Sequence, residues 1–149
     1  MDESIERPAE DVIHRMTAEQ CWDFLAAHEF GRLAFHLAGE VDIRPINYVL
    51  DRAGERLIFR TAEGDKLLGI VMNADVAFAV DQVDEDHATS VIVHGAAHRL
   101  EGQEADVVEQ LPLRPWVPTA KFVVVAIEPM SIHGRSFDLA RPWTHMRPS

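Results

Sequence analysis

Residues 31–50 read GRLAFHLAGEVDIRPINYVL. Leu33, Phe35 and Leu37 alternate with Arg32, Ala34 and His36. After Ala38-Gly39-Glu40 the alternation resumes, with Val41, Ile43, Pro45, Asn47 and Val49 on one face. Side chains of a strand point alternately to its two faces, so two such runs joined by a short glycine-containing link predict a β-hairpin, 31–37 with 41–50. Pro45 has no N–H to give to a ladder, so the second strand belongs at a sheet edge or a bulge.

Working outward, the same period recurs. DRAGE (51–55) is a turn and RLIFRT (56–61) a third strand. DVAFAVDQV (75–83), TSVIVHGAAHRL (89–100) and KFVVVAIEPMSIHG (121–134) are three more, with DEDHA (84–88) as an acidic loop and Gly95 as a bulge position. Helical spacing appears at the margins. Thr17 followed by Gln20 is a capping box, and Cys21, Phe24, Leu25 and His28 then form a stripe over a helix at about 17–28. Leu67, Leu68, Val71 and Met72 predict a helix from Asp65 to Asn73, and 102–111 a short third one. Pro112, Pro115 and Pro118 end it. Six mostly antiparallel strands with two or three short helices, and no strand–helix alternation, predict a mainly β, barrel-like domain and argue against a doubly wound α/β sheet.

The bulk properties limit the partners. At 149 residues the chain has room for one full core. A polar lead-in over 1–16, the domain over 17–137 and a tail over 138–149 are the expected parts. A net charge of −11 repels nucleic acid at long range, and no dense basic run offsets it. No apolar run approaches a membrane span, and the acidic N-terminus is unlike a secretory signal. The one cysteine, Cys21, cannot form an intrachain disulfide and lies on an apolar helix face, so a cytoplasmic location and a packing role are expected. His94 and His98 share a strand face but sit roughly 13 Å apart at strand rise, too far for one metal, so no metal is expected.

Two stretches carry chemistry. In FRTAEGDKL (59–67), Arg60, Thr61 and Lys66 gather around Gly64 where a strand hands over to a helix. A helix start favours anions, a guanidinium forks onto phosphate oxygens, and glycine admits a ligand close to the backbone. A capped turn with solvated charges explains the same residues, and neither the Walker nor the dinucleotide pattern is matched. In RPINY (44–48), the edge strand offers backbone groups and the Asn47 amide to a flat polar ligand; an edge blunted by Pro45 against aggregation is the plainer reading. Trp116, between prolines in RPWVP (114–118), is a ring on a stiff loop that either meets a ligand or covers the barrel end.

In order, FGRLAF, RPINYVLD, LIFRTAEGDKL, DVAFAVDQVD, SVIVHGAAHRL, LPLRPWVP and FVVVAIEPMSIHGRSF resemble the pyridoxamine 5′-phosphate oxidase-like family of FMN-binding split-barrel proteins, over about residues 17–135. The likeness is greatest to its short, actinobacterial-type members. The resemblance implies a split β-barrel that pairs into a homodimer with two FMN sites at the interface. It implies that Arg60, Thr61 and Lys66 hold the FMN phosphate, that Pro45, Ile46 and Asn47 lie beside the isoalloxazine, and that Trp116 approaches the flavin of the partner subunit, with Ser90 as a further flavin-binding candidate. The tail does not match the basic substrate-phosphate motif of the longer oxidases, so a vitamin B6 substrate is not implied. No side chain stands out as a dedicated acid or base. An oxidoreductase acting on a small molecule, a deazaflavin (F420)-dependent reductase and a flavin-binding sensor without turnover all remain open.

Overall fold

The computed structural model describes residues 13–37, 39–62, 75–108 and 122–139. The hairpin is present, but its second strand ends at Asn47 rather than Leu50. Strand β2 (Phe30–Leu37) pairs antiparallel with β3 (Glu40–Asn47), from Leu37 opposite Glu40 to Phe30 opposite Asn47. Before it come β1 (Ile13–Arg15) and α1 (Ala18–Ala26); after it come β4 (Val49–Asp51), β5 (Arg56–Ala62), β6 (Asp75–Val83), β7 (His87–Leu100), α2 (Gln103–Val108) and β8 (Phe122–Asp138). The sheet order is β3-β2-β6-β7-β8-β5-β4, with β1 added on β8, and all pairings are antiparallel.

The two ends of this path, β3 and β4, are consecutive in the chain and separated by Tyr48 alone. A single residue spans about 3.5 Å, so the sheet must curl until its two edges meet at that corner. This is a half-barrel, and the mainly β split-barrel expectation holds. The strand count is eight among the described residues rather than six. Two strands escape a periodicity reading because each has only three residues. One, β1, lies within the polar lead-in. The other, β4, shares an unbroken alternating run with β3, and sequence period does not register a change of partner.

Tyr48 fixes the corner. Its ring is buried and packs edge-on against Phe78 at 5.0 Å. Its N–H donates to the Glu29 carbonyl at 2.8 Å, and its hydroxyl to the Leu25 carbonyl at 2.6 Å. Burial pushes the phenol well above its ordinary value of 10.0. The helix end is therefore bonded to the point where the chain changes sheet edge.

Helix α1 forms as its sequence predicts. Thr17 caps it, its Oγ1 accepting from the Gln20 N–H at 3.2 Å while Gln20 Oε1 accepts from the Thr17 N–H at 2.9 Å. Cys21 and Leu25 are buried and plug the concave side of the sheet, among Leu33, Phe35, Leu57, Phe59, Phe78, Val91, Val93, Val125 and Ile127. Fully burying one such side chain stabilises by about 1.5–3 kcal/mol, which makes this shared core the main support of the fold. A second cluster lies on the convex side, where Ile58, Leu100 and Ala126 pack with Ala105 of α2.

The bulge expected at Gly95 occurs. His94 pairs with Ser131 and Gly95 with Pro129, so Met130 is the extra residue and stands 69% exposed. A Cβ on Gly95 would collide with the Glu128 carbonyl oxygen, so only glycine admits this approach. In the DRAGE turn, Asp51 accepts from the Gly54 N–H at 3.2 Å and from Arg56 Nε at 3.0 Å. Among the described residues no helix is long and apolar enough to cross a membrane.

Candidate functional site

The β4–β5 ladder runs from Asp51 opposite Arg56 to Val49 opposite Ile58. At Tyr48 the chain then leaves β5 and runs along β2 as β3. If the register of the ladder were extended past the corner, Asn47 would stand opposite Arg60, and Ile46 opposite Thr61. The two stretches singled out in the sequence, RPINY and FRT, thus begin the two walls of the split in the barrel. They meet at the Tyr48 corner and part from there.

Strand alternation sorts the side chains on these walls. Ile46 and Thr61 are buried, with Ile46 opposite Gly31 and Thr61 opposite Val123. Both sit on the core side, Thr61 two positions from Phe59. Pro45 and Asn47 lie on the other face, Pro45 exposed and Asn47 half-buried. Arg60 shares that convex face with Ile58, half-buried and opposite Val124. Pro45, Asn47 and Arg60 therefore share one face across the split, whereas Ile46 and Thr61 turn to the core. Side chains read in the sequence as one set divide into two by face. Lys66, Trp116 and the predicted helix over 65–73 lie outside the described residues.

Ser90 is further off. It is half-buried in β7, opposite Asp81 of β6 and Arg135 of β8. The β2–β6 register, Arg32 opposite Ala79, aligns Phe30 with Asp81 two residues on. Asn47, Phe30, Asp81 and Ser90 thus form one cross-strand row on the convex face. Ser90 lies three strands from Asn47, roughly 14 Å along the sheet at about 4.8 Å per strand. Within one chain it does not join Asn47 and Arg60.

Two residues of this row, Phe30 and Asp81, were not singled out in the sequence, because their place depends on a pairing between strands more than forty positions apart. They line a cavity of about 760 Å³ beside the corner, together with Tyr48, Val49, Leu50 and Arg52. Pro45, Arg60, Thr61 and Ser90 are not on its wall. Two of its charged members are held in ion pairs: Arg52 with Asp23 at 2.8 Å and Asp81 with Arg32 at 3.6 Å. These pairs are exposed and contribute little to stability. Cys21, the one thiol, is buried, and desolvation raises its pKa above the ordinary 9.0, so it is inert core rather than nucleophile.

Comparison with known proteins fits this architecture. The family profile described as pyridoxamine 5′-phosphate oxidase matches residues 17–136. The chain belongs to that family. An uncharacterised Mycobacterium tuberculosis protein, Rv0080, is 32% identical over 133 residues, covering 85% of this chain and 86% of its own. The structure of an FAD binding protein from Mycobacterium smegmatis superposes with a TM-score of 0.78 at 34% identity, covering 85% of this chain and all of that one. A conserved Corynebacterium diphtheriae protein of unknown function gives a TM-score of 0.74 at 35% identity, over 85% and 99% of the two chains. Membership of the pyridoxamine 5′-phosphate oxidase family accounts for the ordered motifs from FGRLAF to IHGRSF.

Proposed function

We propose that the protein is a flavin-dependent oxidoreductase that holds FMN in the split between β3 and β5 and acts on a small molecule. The observation that carries this reading is the register at the corner, which puts Asn47 and Arg60 on one face of the two diverging walls. The donor set suits a flavin phosphate at one end and a flat polar ring at the other. Arg60 brings a fork of N–H donors, and Asn47 an amide that both donates and accepts. Pro45 offers an exposed apolar surface, and Lys66 a point charge by its place in the sequence. Thr61 and Ile46, turned to the core, contribute through their backbone.

Bound flavin supplies hydride transfer, and this chain supplies position and electrostatics. Arg60 and Lys66 anchor the phosphate, Asn47 fixes the ring by its hydrogen-bonding edge, and Pro45 shields one side of it from water. In the same reading the protein is a cytoplasmic homodimer, with Ser90 and Trp116 reaching the flavin of the second copy. Val41 and Ile43, 67% and 58% exposed on the face of Pro45, are the apolar surface such a dimer covers.

The Mycobacterium smegmatis relative, an FAD binding protein, makes FAD the second cofactor to test. Purified protein titrated with FMN, FAD and F420, followed by visible absorbance and fluorescence, decides among them. Tightest binding of FMN supports the proposal, preference for F420 replaces it with a deazaflavin reductase, and no binding at micromolar concentrations of any of the three overturns it. Bleaching of bound flavin by a reduced nicotinamide or deazaflavin donor separates turnover from a sensor that only binds.

A further inference from the structure

On the concave side of the sheet, away from the split, β7 and β8 assemble a second constellation. Ser136 Oγ lies 2.7 Å from His87 Nε2, and His87 Nδ1 lies 3.4 Å from Asp138 Oδ1. Register explains the geometry. His87 is directly opposite Asp138, and Thr89 directly opposite Ser136, so Ser136 is the diagonal neighbour of His87 on the same face. Diagonal positions are about 7–8 Å apart, within reach of an imidazole. The two contacts together select one tautomer: Nε2 accepts from the serine hydroxyl while Nδ1–H donates to the carboxylate. This is the order of nucleophile, base and orienting acid that activates a serine.

The framework is held at its open end. The Asp84 N–H donates to the His87 carbonyl at 2.7 Å, and the Leu139 N–H to the Asp86 carbonyl at 2.8 Å. A cavity of about 470 Å³ lies against Ser136, with Thr89, His14, Arg15, Gln20 and Phe24 on its wall. Gln20 Oε1 is taken by the Thr17 N–H, which leaves its amide NH₂ as a donor. His14 stands directly opposite Ser136 and shares its face, whereas Arg15, opposite Arg135, turns its side chain to the convex face. The wall thus carries a hydroxyl nucleophile, the Gln20 amide as an N–H donor for a developing oxyanion, and the Phe24 ring. Its volume suits a small molecule.

We propose that Ser136 is a nucleophile activated by His87, giving the protein a second, flavin-independent activity: acyl transfer from small esters or thioesters. Ser136 Oγ attacks the carbonyl carbon as its proton passes to His87 Nε2, and the carbonyl π pair moves onto oxygen. Collapse expels the alcohol or thiol, which leaves with the proton from His87. Water then attacks the acyl-serine, giving one proton to His87 and through it returning Ser136 to its hydroxyl, and the acid is released. Atoms balance and nothing is oxidised. Asp138 is a positioning residue. His87 and Asp138 are 42% and 71% exposed, so water weakens their coupling, and the rate gain belongs at the lower end of the roughly 10²–10⁴-fold range for general-base catalysis.

The test uses the full chain with p-nitrophenyl acetate and a fluorophosphonate, with intact-mass and peptide mapping. One adduct on Ser136 is expected, formed at least tenfold more slowly in His87→Gln. Asp138→Asn should slow it several-fold and Asp138→Glu restore it, which a purely structural role does not predict. Ser131→Ala, on the same strand but outside the cluster, should label like the wild type. Because the adduct is mapped on wild-type protein, the result stands even where Ser136→Ala misfolds. An unlabelled Ser136, equal labelling of Ser131, or an unchanged rate in folded His87→Gln overturns the proposal.

Discussion

The Tyr48 hydroxyl donates to the Leu25 carbonyl at 2.6 Å, which ties the last turn of α1 to the residue at which the chain passes from one edge of the sheet to the other. The same carbonyl also accepts from the His28 N–H at 3.3 Å, so it is not orphaned when the hydroxyl is removed. Tyr48→Phe keeps the ring against Phe78 and should cost about 0.5–1.5 kcal/mol, the net value of one such bond. At about 2–4 °C per kcal/mol for a chain of this size, the melting midpoint falls by a few degrees. Tyr48→Ala also removes the ring and should cost about 3–5 kcal/mol. Thermal melts by circular dichroism of both variants check the difference.

Alkaline pH should weaken the fold through two buried groups. The Cys21 thiol and the Tyr48 phenol are both raised above their ordinary values of 9.0 and 10.0, chiefly by desolvation. Below pH about 8 both are protonated in the folded and unfolded chains, and stability is independent of either. Above it the unfolded chain releases these protons and the folded chain retains them, so stability falls as pH rises. Denaturant midpoints between pH 8 and 11 should decline, and Cys21→Ala should flatten the first part of the decline. A midpoint constant through pH 11 would contradict this sign.

Gly95→Ala should be among the most damaging small substitutions. The added methyl meets the backbone of Glu128 and Pro129 rather than a side chain that can swing away. Relief requires the β7–β8 ladder to separate at the bulge, at a cost of about 1–3 kcal/mol or more. The Met130 bulge residue itself is exposed, and Met130→Thr should change stability by less than about 0.5 kcal/mol. Denaturant titration of the two variants separates backbone approach from side-chain packing at one site.

The fold was legible in this sequence wherever local period determined it. The β2–β3 hairpin, the Thr17–Gln20 cap, the Pro45 edge and the Gly95 bulge each follow from spacing or from the chemistry of one residue. The break at Tyr48 was not legible, because residues 41–50 alternate without interruption while their hydrogen-bonding partner changes from β2 to β5. The His87, Ser136 and Asp138 cluster was hidden for a related reason: its members are about fifty positions apart and meet only through the β7–β8 register. Face assignment was partly hidden as well. Arg60 and Thr61 are adjacent and look like one phosphate-binding pair, yet adjacent strand residues diverge, and only the observed pairing shows which one faces the core.

That divergence yields a test of the flavin proposal. Arg60 and Asn47 share the convex face across the split, whereas Thr61 and Ile46 are buried on the other. Arg60→Ala removes charged hydrogen bonds to a phosphate and should weaken flavin binding by about 1.5–3 kcal/mol, or roughly 10–150-fold in Kd. Lys66→Ala should act in the same direction, in proportion to its point charge. Arg60→Lys should recover only part of the loss, since an ammonium cannot fork. Thr61→Val and Ile46→Ala should act mainly on stability, lowering the melting midpoint while moving the Kd by less than threefold. Flavin titration beside thermal melting reads both quantities on each variant. Equal Kd losses for Arg60→Ala and Thr61→Val would mean that the phosphate lies over the end of β5, where twist brings both residues to it, and not on the face shared by Asn47 and Arg60.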